Sequence, residues 1–175
     1  MDSQQAVFLA QYLTKLWEGE FPATVKVLAA VPDGNKGYKP DDKSRTVWEV
    51  ATHLATSDLW FLNAVCEGKF AWDPEAAKKA EAGLTSTAAL VEFYKREFPA
   101  GLARVRALPP ETLTQSVDFF GLFQWPSVQY LGFGNNHSVH HRGQLAAYLR
   151  AAGSKVPAIY GGSADEPMTA ASQGA

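Results

Sequence analysis

The sequence predicts an all-α fold, namely a four-helix bundle with a long crossover connection and irregular loops. Four segments, each of about twenty residues or more, carry apolar side chains at helical spacing, whereas an average helix has roughly 11–12 residues. Because each segment is amphipathic, packing the four apolar faces together is the default way to bury them. The connections are long enough for a crossover, so a simple up-down-up-down order does not follow from the pattern.

The first predicted helix runs from about Ser3 to Ala30, with Asp2 or Ser3 as its N-cap. Its apolar side chains recur at helical spacing in two rows. The rows are Phe8, Tyr12, Leu16 and Leu9, Leu13, Trp17. Prolines and glycines from Pro32 onward then break the chain.

The second predicted helix begins at a capping box formed by Thr46 and Glu49, and it ends at Gly68. Residues placed at 100° steps form one stripe along this helix. The stripe consists of Val50, His53, Ser57, Trp60, Phe61 and Ala64. The single cysteine, Cys66, lies among apolar residues of the same helix, so we expect a buried, inert thiol and no internal disulfide.

The third predicted helix starts near residues 85–86, after a polar, alanine-rich loop at residues 69–83 that has room for a short helical turn. Pro99 removes one backbone donor, so we expect a kink or a break near Phe98. Two prolines at residues 109–110 end this helix.

Residues 119–125, FFGLFQW, are unusually aromatic for a connection. A short strand or hairpin is one interpretation of this segment. The favoured interpretation is that these side chains cover one end of the bundle, or belong to a pocket mouth or a subunit interface. The fourth helix is predicted from Pro126 to about Ala152, with Gly153 as its C-cap.

Length and composition indicate one globular domain. We expect residues 1–162 to form a single helical bundle and residues 163–175 to be a disordered tail. The net charge of −2 gives no reason to expect a nucleic-acid partner. The sequence has no run of eighteen apolar residues and no positively charged leader, so we expect no membrane partner and a cytoplasmic location.

Three of the four histidines fall within the five residues HSVHH of the fourth helix. His137 and His141 are four residues apart, so they share one face of the helix. That face also carries Tyr130, Phe133, Gly134, Gln144, Leu145 and Tyr148. His140 lies about 60° away from His137, and we therefore assign it a supporting or surface role.

Other residues of the fourth helix lie away from this face. Asn135, Arg142 and Arg150 are expected toward solvent or at a helix edge, with Arg142 in an ion pair. Gly143 lowers helix propensity, so we expect a packing reason for it.

His53 lies on the inward stripe of the second helix, and histidines on facing helices are a common way to build a site in a bundle. One metal ion would satisfy a nitrogen on each of His53, His137 and His141; the alternative is that the imidazoles cap backbone groups or contact water. The second nitrogens need hydrogen-bond partners, for which Glu49, Ser57, Gln144 and backbone carbonyls are candidates. The aromatic residues Trp60, Tyr130 and Tyr148 either line a pocket beside the histidines or belong to the core.

Two stretches, SRTVWEVATHLATSDLWFL and HSVHHRGQLAAYLRAAGSKVPAIYG, resemble the DinB family of bacterial four-helix-bundle proteins. The resemblance covers most of the chain, and its most specific part is the HxxxHRGQ helix. It implies a bundle in which His53, His137 and His141 hold one divalent metal ion. It also implies a relationship to thiol-dependent transferases and isomerases, in which the metal activates a low-molecular-weight thiol.

Three imidazoles leave a coordination position open, which is typical of catalytic rather than structural zinc sites. Zinc or nickel is favoured, and iron or manganese also accepts imidazole ligands. The leading hypothesis is therefore a metal-dependent enzyme, a small-thiol S-transferase or a related hydrolase, with a low-molecular-weight thiol as substrate. The alternatives are a non-catalytic metal-binding stress-response module and an interaction bundle without metal. The many aromatic residues also suggest a homodimer.

Overall fold

The computed structural model describes residues 1–168 and, within them, six α-helices, one 3₁₀ turn and two short strands. These are α1 (Ser3–Ala29), the 3₁₀ turn (Asp33–Asn35), α2 (Val47–Glu67), α3 (Pro74–Ala82), α4 (Thr87–Arg106), α5 (Pro110–Thr114), β1 (Ser116–Phe119), β2 (Phe123–Pro126) and α6 (Gln129–Leu149). The four long helices α1, α2, α4 and α6 form the bundle, which confirms the predicted fold class. Within residues 1–168, no helix has the length and apolar character needed to cross a membrane.

The packing partners of the long helices define how the chain crosses the bundle. Helix α2 packs on α4 and α6, and α1 packs on the same two helices. Helices α1 and α2, although consecutive among the four, therefore lie diagonally opposite each other, as do α4 and α6. The connections at residues 30–46 and 107–128 cross opposite ends of the bundle. Helices α2 and α4 run parallel, since Asp58 meets Tyr94 and Asn63 meets Arg104, so residues 68–86 form the long connection that returns along the bundle.

Side-chain caps set the beginnings of the first two long helices. The Asp2 carboxylate accepts a hydrogen bond from the Gln5 backbone N–H at 2.8 Å, and the Gln5 side chain accepts one from the Asp2 N–H at 3.1 Å. Thr46 and Glu49 form the same reciprocal pair at the start of α2. Gly68 ends α2 with a φ of 65°, a left-handed conformation that favours glycine.

The third predicted helix differs from expectation at Pro99. Helix α4 runs without a break from Thr87 to Arg106. The buried ring of Phe98 stacks on Tyr94 at a centroid distance of 5.0 Å and meets Trp17 edge-on at 5.6 Å. Burial of an aromatic ring on this scale contributes about 1.5–3 kcal/mol, which offsets the lost backbone hydrogen bond.

The aromatic segment forms a hairpin that covers one end of the bundle. Strands β1 and β2 are antiparallel, with Phe119 opposite Phe123 and Ser116 opposite Pro126. The turn contains Phe120 and Gly121, both with positive φ. Because Pro126 belongs to β2, helix α6 starts at Gln129 rather than at the predicted proline.

Two expected loop or tail segments have local structure. Residues 74–82 form helix α3, capped by Asp73, where the sequence predicted a loop with room for a short turn. In the expected tail, Asp165 accepts hydrogen bonds from Arg150 and from the Val156 backbone N–H. Residues 163–166 therefore fold back on the segment that follows α6, whereas residues 169–175 lie outside the described residues.

One predicted apolar row of α1 belongs to the surface and not to the core. Phe8, Tyr12 and Leu16 are exposed, whereas Trp17 of the second row is fully buried. The predicted homodimer stays a prediction.

Arg142 is buried in the bundle, which corrects the expectation that it lies toward solvent. Its side chain is 1% exposed and pairs with the Glu20 carboxylate at 2.5 Å. It also donates to the Thr24 hydroxyl at 3.2 Å and to the Tyr160 hydroxyl. Asn135 is likewise buried. The expected ion pair is present, but it lies inside the protein. Because α6 packs on both α1 and α2, it buries two faces, and Arg142 on one of them joins α6 to α1.

A second buried polar cluster joins three helices around Asp58. Its Oδ2 atom accepts hydrogen bonds from the Tyr94 hydroxyl of α4 at 2.7 Å and the Ser138 hydroxyl of α6 at 2.8 Å. Burial raises the pKa of Asp58 to about 7, although the hydrogen bonds from Tyr94 and Ser138 act in the opposite direction.

Close packing of α6 depends on Gly134, not on Gly143. A Cβ atom at Gly134 would lie 2.6 Å from Cη2 of Trp17 and 3.0 Å from Cβ of Phe61. A Cβ atom at the exposed Gly143 would meet nothing within 4 Å among the described residues outside its own helix, so the predicted packing reason for this glycine was wrong.

Replacing Gly134 by alanine should lower the free energy of unfolding by about 1–3 kcal/mol because the new methyl group overpacks the core. Gly143→Ala, on the same helix, should instead raise it by about 0.5–1 kcal/mol through helix propensity. Urea denaturation of both variants measures the difference. Equal effects of the two substitutions would contradict the proposed close contact.

The Asp58 carboxyl should make stability depend on pH. Since the folded pKa lies above that of the unfolded chain, the folded state binds the proton more tightly, and stability is lost as pH rises toward and through about 7. Between about pH 5 and about pH 8, the free energy of unfolding of the original protein should therefore fall relative to that of Asp58→Asn. Asp42→Asn, at a fully exposed side chain, is the control. A constant difference across this range would contradict the buried-acid assignment.

Candidate metal centre

Three histidines from two helices meet at one point of the bundle. Helix α2 contributes His53, and α6 contributes His137 and His141. The ring centroids of His53 lie 5.2 Å from His137 and 4.5 Å from His141, and those of His137 and His141 are 4.4 Å apart. One nitrogen from each ring lies within 4.8 Å of the other two, so these side chains could hold one metal ion.

Two predicted neighbours orient the imidazoles. Gln144 Oε1 lies 2.9 Å from His141 Nδ1, which places the proton on Nδ1 and leaves the lone pair on Nε2. Ser57 Oγ lies 3.1 Å from His53 Nδ1. Hydrogen bonds of this kind fix the ring and tautomer of metal-binding histidines. The Gln144 side chain in turn donates to the Tyr148 hydroxyl at 3.4 Å.

The surroundings of His137 show whether the site fits a metal ion. Its Nδ1 atom is buried and has no hydrogen-bond partner within residues 1–168. An unpaired buried nitrogen is costly unless a ligand satisfies it. The residues present therefore fit a divalent metal ion that accepts imidazole ligands.

Burial keeps the histidines in the form that binds metals. It lowers the pKa of His53 to about 3 and that of His137 to about 4, and it lowers the pKa of His141 as well. The positive charge of Arg45 acts in the same direction on all three. Each imidazole is thus neutral near pH 7, with a lone pair available.

The structure places three of the other predicted site residues outside the triad. The Glu49 carboxylate accepts hydrogen bonds from the Thr46 backbone and hydroxyl groups, at 2.7 and 2.9 Å. Tyr130 is fully buried and donates to the Val117 carbonyl at 2.8 Å, so it anchors the hairpin. His140 is exposed, and its ring lies 4.8 Å from that of His141.

A cavity of about 420 Å³ opens beside the triad, and His53, His137 and Ser57 form part of its wall. Trp60, a predicted pocket residue, is also part of the wall and donates to the Ala71 carbonyl at 2.7 Å. The volume of the cavity falls in the range of small-molecule sites, roughly 300–1,000 Å³.

Sequence reasoning missed two residues near the triad. Trp72 before α3 lines the cavity, and Arg45 affects the histidines through its charge. Phe119, which also lines the cavity, belongs to the aromatic segment for which a pocket mouth was one of the predicted roles. Their positions depend on how the connections fold over the bundle. The aromatic composition of residues 119–125 gave a signal for the hairpin, but nothing in the sequence pattern indicated Arg45 or Trp72.

Cys66 lies in α2 outside the histidine group, and it is partly buried. Burial raises the pKa of its thiol, so the neutral form dominates near pH 7.

Fold and site together define a helical-bundle protein with a candidate three-histidine metal centre, and comparison with known proteins agrees. The model of the DinB family matches residues 3–172, so the chain belongs to the DinB family. Over 159 residues the chain is 28% identical to the uncharacterized protein YrdA of Bacillus subtilis strain 168, covering 89% of this chain and 90% of that protein.

Two crystal structures have a similar fold. A DinB-like protein from Bacillus cereus ATCC 10987 superposes with a TM-score of 0.68 and 26% identity, covering 85% of this chain and 95% of that one. The DinB-like protein YjoA from Bacillus subtilis gives a TM-score of 0.64 and 22% identity, covering 82% and 94%. The latter likeness concerns the fold alone.

Substituting any one triad histidine by alanine should abolish stoichiometric zinc binding, because two imidazoles remain where three are needed. His140→Ala should bind zinc as the original protein does, since His140 lies on the exposed flank. Elemental analysis after dialysis measures the zinc retained per chain. Loss of zinc in His140→Ala as complete as in His141→Ala would contradict the assignment.

Removing the hydrogen-bond partner of His141 should have a smaller effect. Gln144→Ala should weaken zinc binding by roughly 10–100-fold, as is typical for loss of a group that orients a ligand. Gln124→Ala, in the hairpin, is a control of the same chemistry. Calorimetric titration measures both affinities, and unchanged affinity in Gln144→Ala would show that this contact does not orient His141.

Proposed function

We propose that this protein is a metal-dependent transferase that joins a low-molecular-weight thiol to a second small molecule. The observation that carries the proposal is that three neutral imidazoles cluster together and that two of them, His53 and His137, form part of the wall of a cavity. A structural metal site is usually closed by four protein ligands, whereas three ligands beside a cavity leave room for a substrate.

A divalent ion at this centre, zinc or nickel first and iron or manganese next, would supply the Lewis acidity that lowers the pKa of a thiol toward neutrality. In the transfer, the sulfur forms a bond to an electrophilic carbon while the thiol proton and the leaving group depart to solvent. Ser57 and Gln144 hold the imidazole rings in place for this chemistry. The aromatic wall of the cavity limits the access of water.

Arg45 provides the charge that suits a thiol substrate. Its guanidinium is near enough to lower the pKa of all three histidines. A positive charge at this end of the site favours an ionised thiol and attracts a carboxylate carried on the same molecule. We also propose a cytoplasmic location, where thiols are kept reduced.

A second candidate function is a non-catalytic metal-binding module. The observation that favours it is that the histidines come from two helices, so a bound ion would cross-link α2 and α6. In that case chelation would lower the melting temperature markedly, while thiols would not be consumed.

The zinc- or nickel-loaded protein should consume a small thiol in the presence of an electrophile, measured as loss of free thiol. Chelation and His141→Ala should each abolish this consumption, whereas the metal-loaded His140→Ala variant should keep it. Thiol consumption that is indifferent to chelation and to His141→Ala would overturn the proposed function.

Arg45→Gln should raise KM for a thiol that carries a carboxylate and leave KM for an uncharged thiol unchanged, since only the former interacts with the guanidinium. Arg96→Gln, at an exposed arginine of α4, is the matched control. Steady-state kinetics with the two thiols measures the effect. Equal KM changes for both thiols would show that Arg45 does not recognise the carboxylate.

A further inference from the structure

The wall of the cavity is built mainly from aromatic rings and alanine methyl groups. Rings from α2, α4, α6, the hairpin and the segment before α3 face this space: Trp60, Phe61, Trp72, Phe93, Phe119 and Phe133. Helix α3 contributes Ala76, Ala77 and Ala80, whose small side chains leave the volume open. Such a surface binds flat apolar molecules through dispersion and ring contacts.

Three polar groups of this wall are engaged with the protein itself. Trp60 Nε1 donates to the Ala71 carbonyl, and the Thr56 hydroxyl donates to the Thr52 carbonyl at 2.9 Å. The Asn63 side-chain oxygen accepts from Arg104 at 2.6 Å. These three side chains therefore offer a ligand little further hydrogen bonding.

The charged residues that line the cavity within the described chain are both acidic. They are Asp73, which caps α3, and Glu81, near the end of the same helix. An anionic ligand would lose water in an apolar space and face two carboxylates, so both desolvation and repulsion oppose its binding.

We propose that this cavity binds an uncharged aromatic molecule of up to three rings, with a ring against Trp60 and Phe133 and one end toward His53 and His137. The assignment of this molecule as the electrophile that accepts the thiol rests on the proposed function. The binding itself does not, because the aromatic wall and the acidic rim formed by Asp73 and Glu81 are independent of the metal.

A matched pair of fluorescent probes tests the ligand class. N-phenyl-1-naphthylamine is uncharged, and 1-anilinonaphthalene-8-sulfonate is the same skeleton with a sulfonate. The full chain, freed of metal by chelation, should bind one molecule of the uncharged probe and bind the sulfonate at least about tenfold more weakly, because of the two carboxylates. The double variant Asp73→Asn, Glu81→Gln should reduce the ratio of the affinities for the two probes. Asparagine at residue 73 preserves the cap of α3. Equal or tighter binding of the sulfonate by the original protein would overturn the proposal.

A pair of substitutions on α3 tests the location. Ala77→Phe adds a ring to the cavity wall, whereas Lys79→Phe adds the same ring to an exposed position of α3 that is not part of the wall. Binding of the uncharged probe should weaken at least about tenfold in the first variant and stay unchanged in the second. Far-ultraviolet circular dichroism checks that both variants are folded. Unchanged binding in Ala77→Phe would overturn the assignment to this cavity.

The probe and the thiol assay fail in distinguishable ways. Binding of the uncharged probe without thiol consumption would support the aromatic site and remove the transferase. Thiol consumption without binding of the uncharged probe would overturn the aromatic site and leave the transferase standing.

Discussion

The close packing of α2 against α6 is the interaction on which the site depends. At Gly134 the absence of a side chain lets α6 approach Trp17 and Phe61. One turn further along α6, the hydroxyl of Ser138 donates to the buried Asp58 carboxylate of α2, which fixes the register of the two helices. That register brings His53 to the two histidines of α6, so the triad results from packing rather than from any local motif.

The sequence predicted those parts of the molecule that local geometry determines. The spacing of His137 and His141 implies a shared face, and the capping residues Asp2 and Thr46 fix where two helices begin. The surroundings of Arg142 could not be predicted in this way, because a helical stripe identifies one buried face and α6 has two. Phe119 and Trp72 of the cavity wall lie on long connections, whose course over the bundle no periodicity encodes.

The site joins two environments with opposite chemical preferences. At one end are neutral imidazoles, their hydrogen-bond partners Ser57 and Gln144, and the positive charge of Arg45. At the other end is an apolar space with an acidic rim, of which Asp73 is a part. The proposed reaction between an anionic thiol and an apolar electrophile would be favoured by such a division, since each reactant would then meet the part of the site that suits it.

The central claim is that His53, His137 and His141 hold one divalent ion and leave a position open. X-ray absorption spectroscopy of the zinc-loaded protein tests it most directly, because it counts and identifies the atoms bound to the metal. The account predicts three imidazole nitrogens and at least one further oxygen donor from solvent, with bond lengths of about 2.0–2.2 Å. A sulfur at about 2.3 Å, or fewer than three imidazoles, would contradict it.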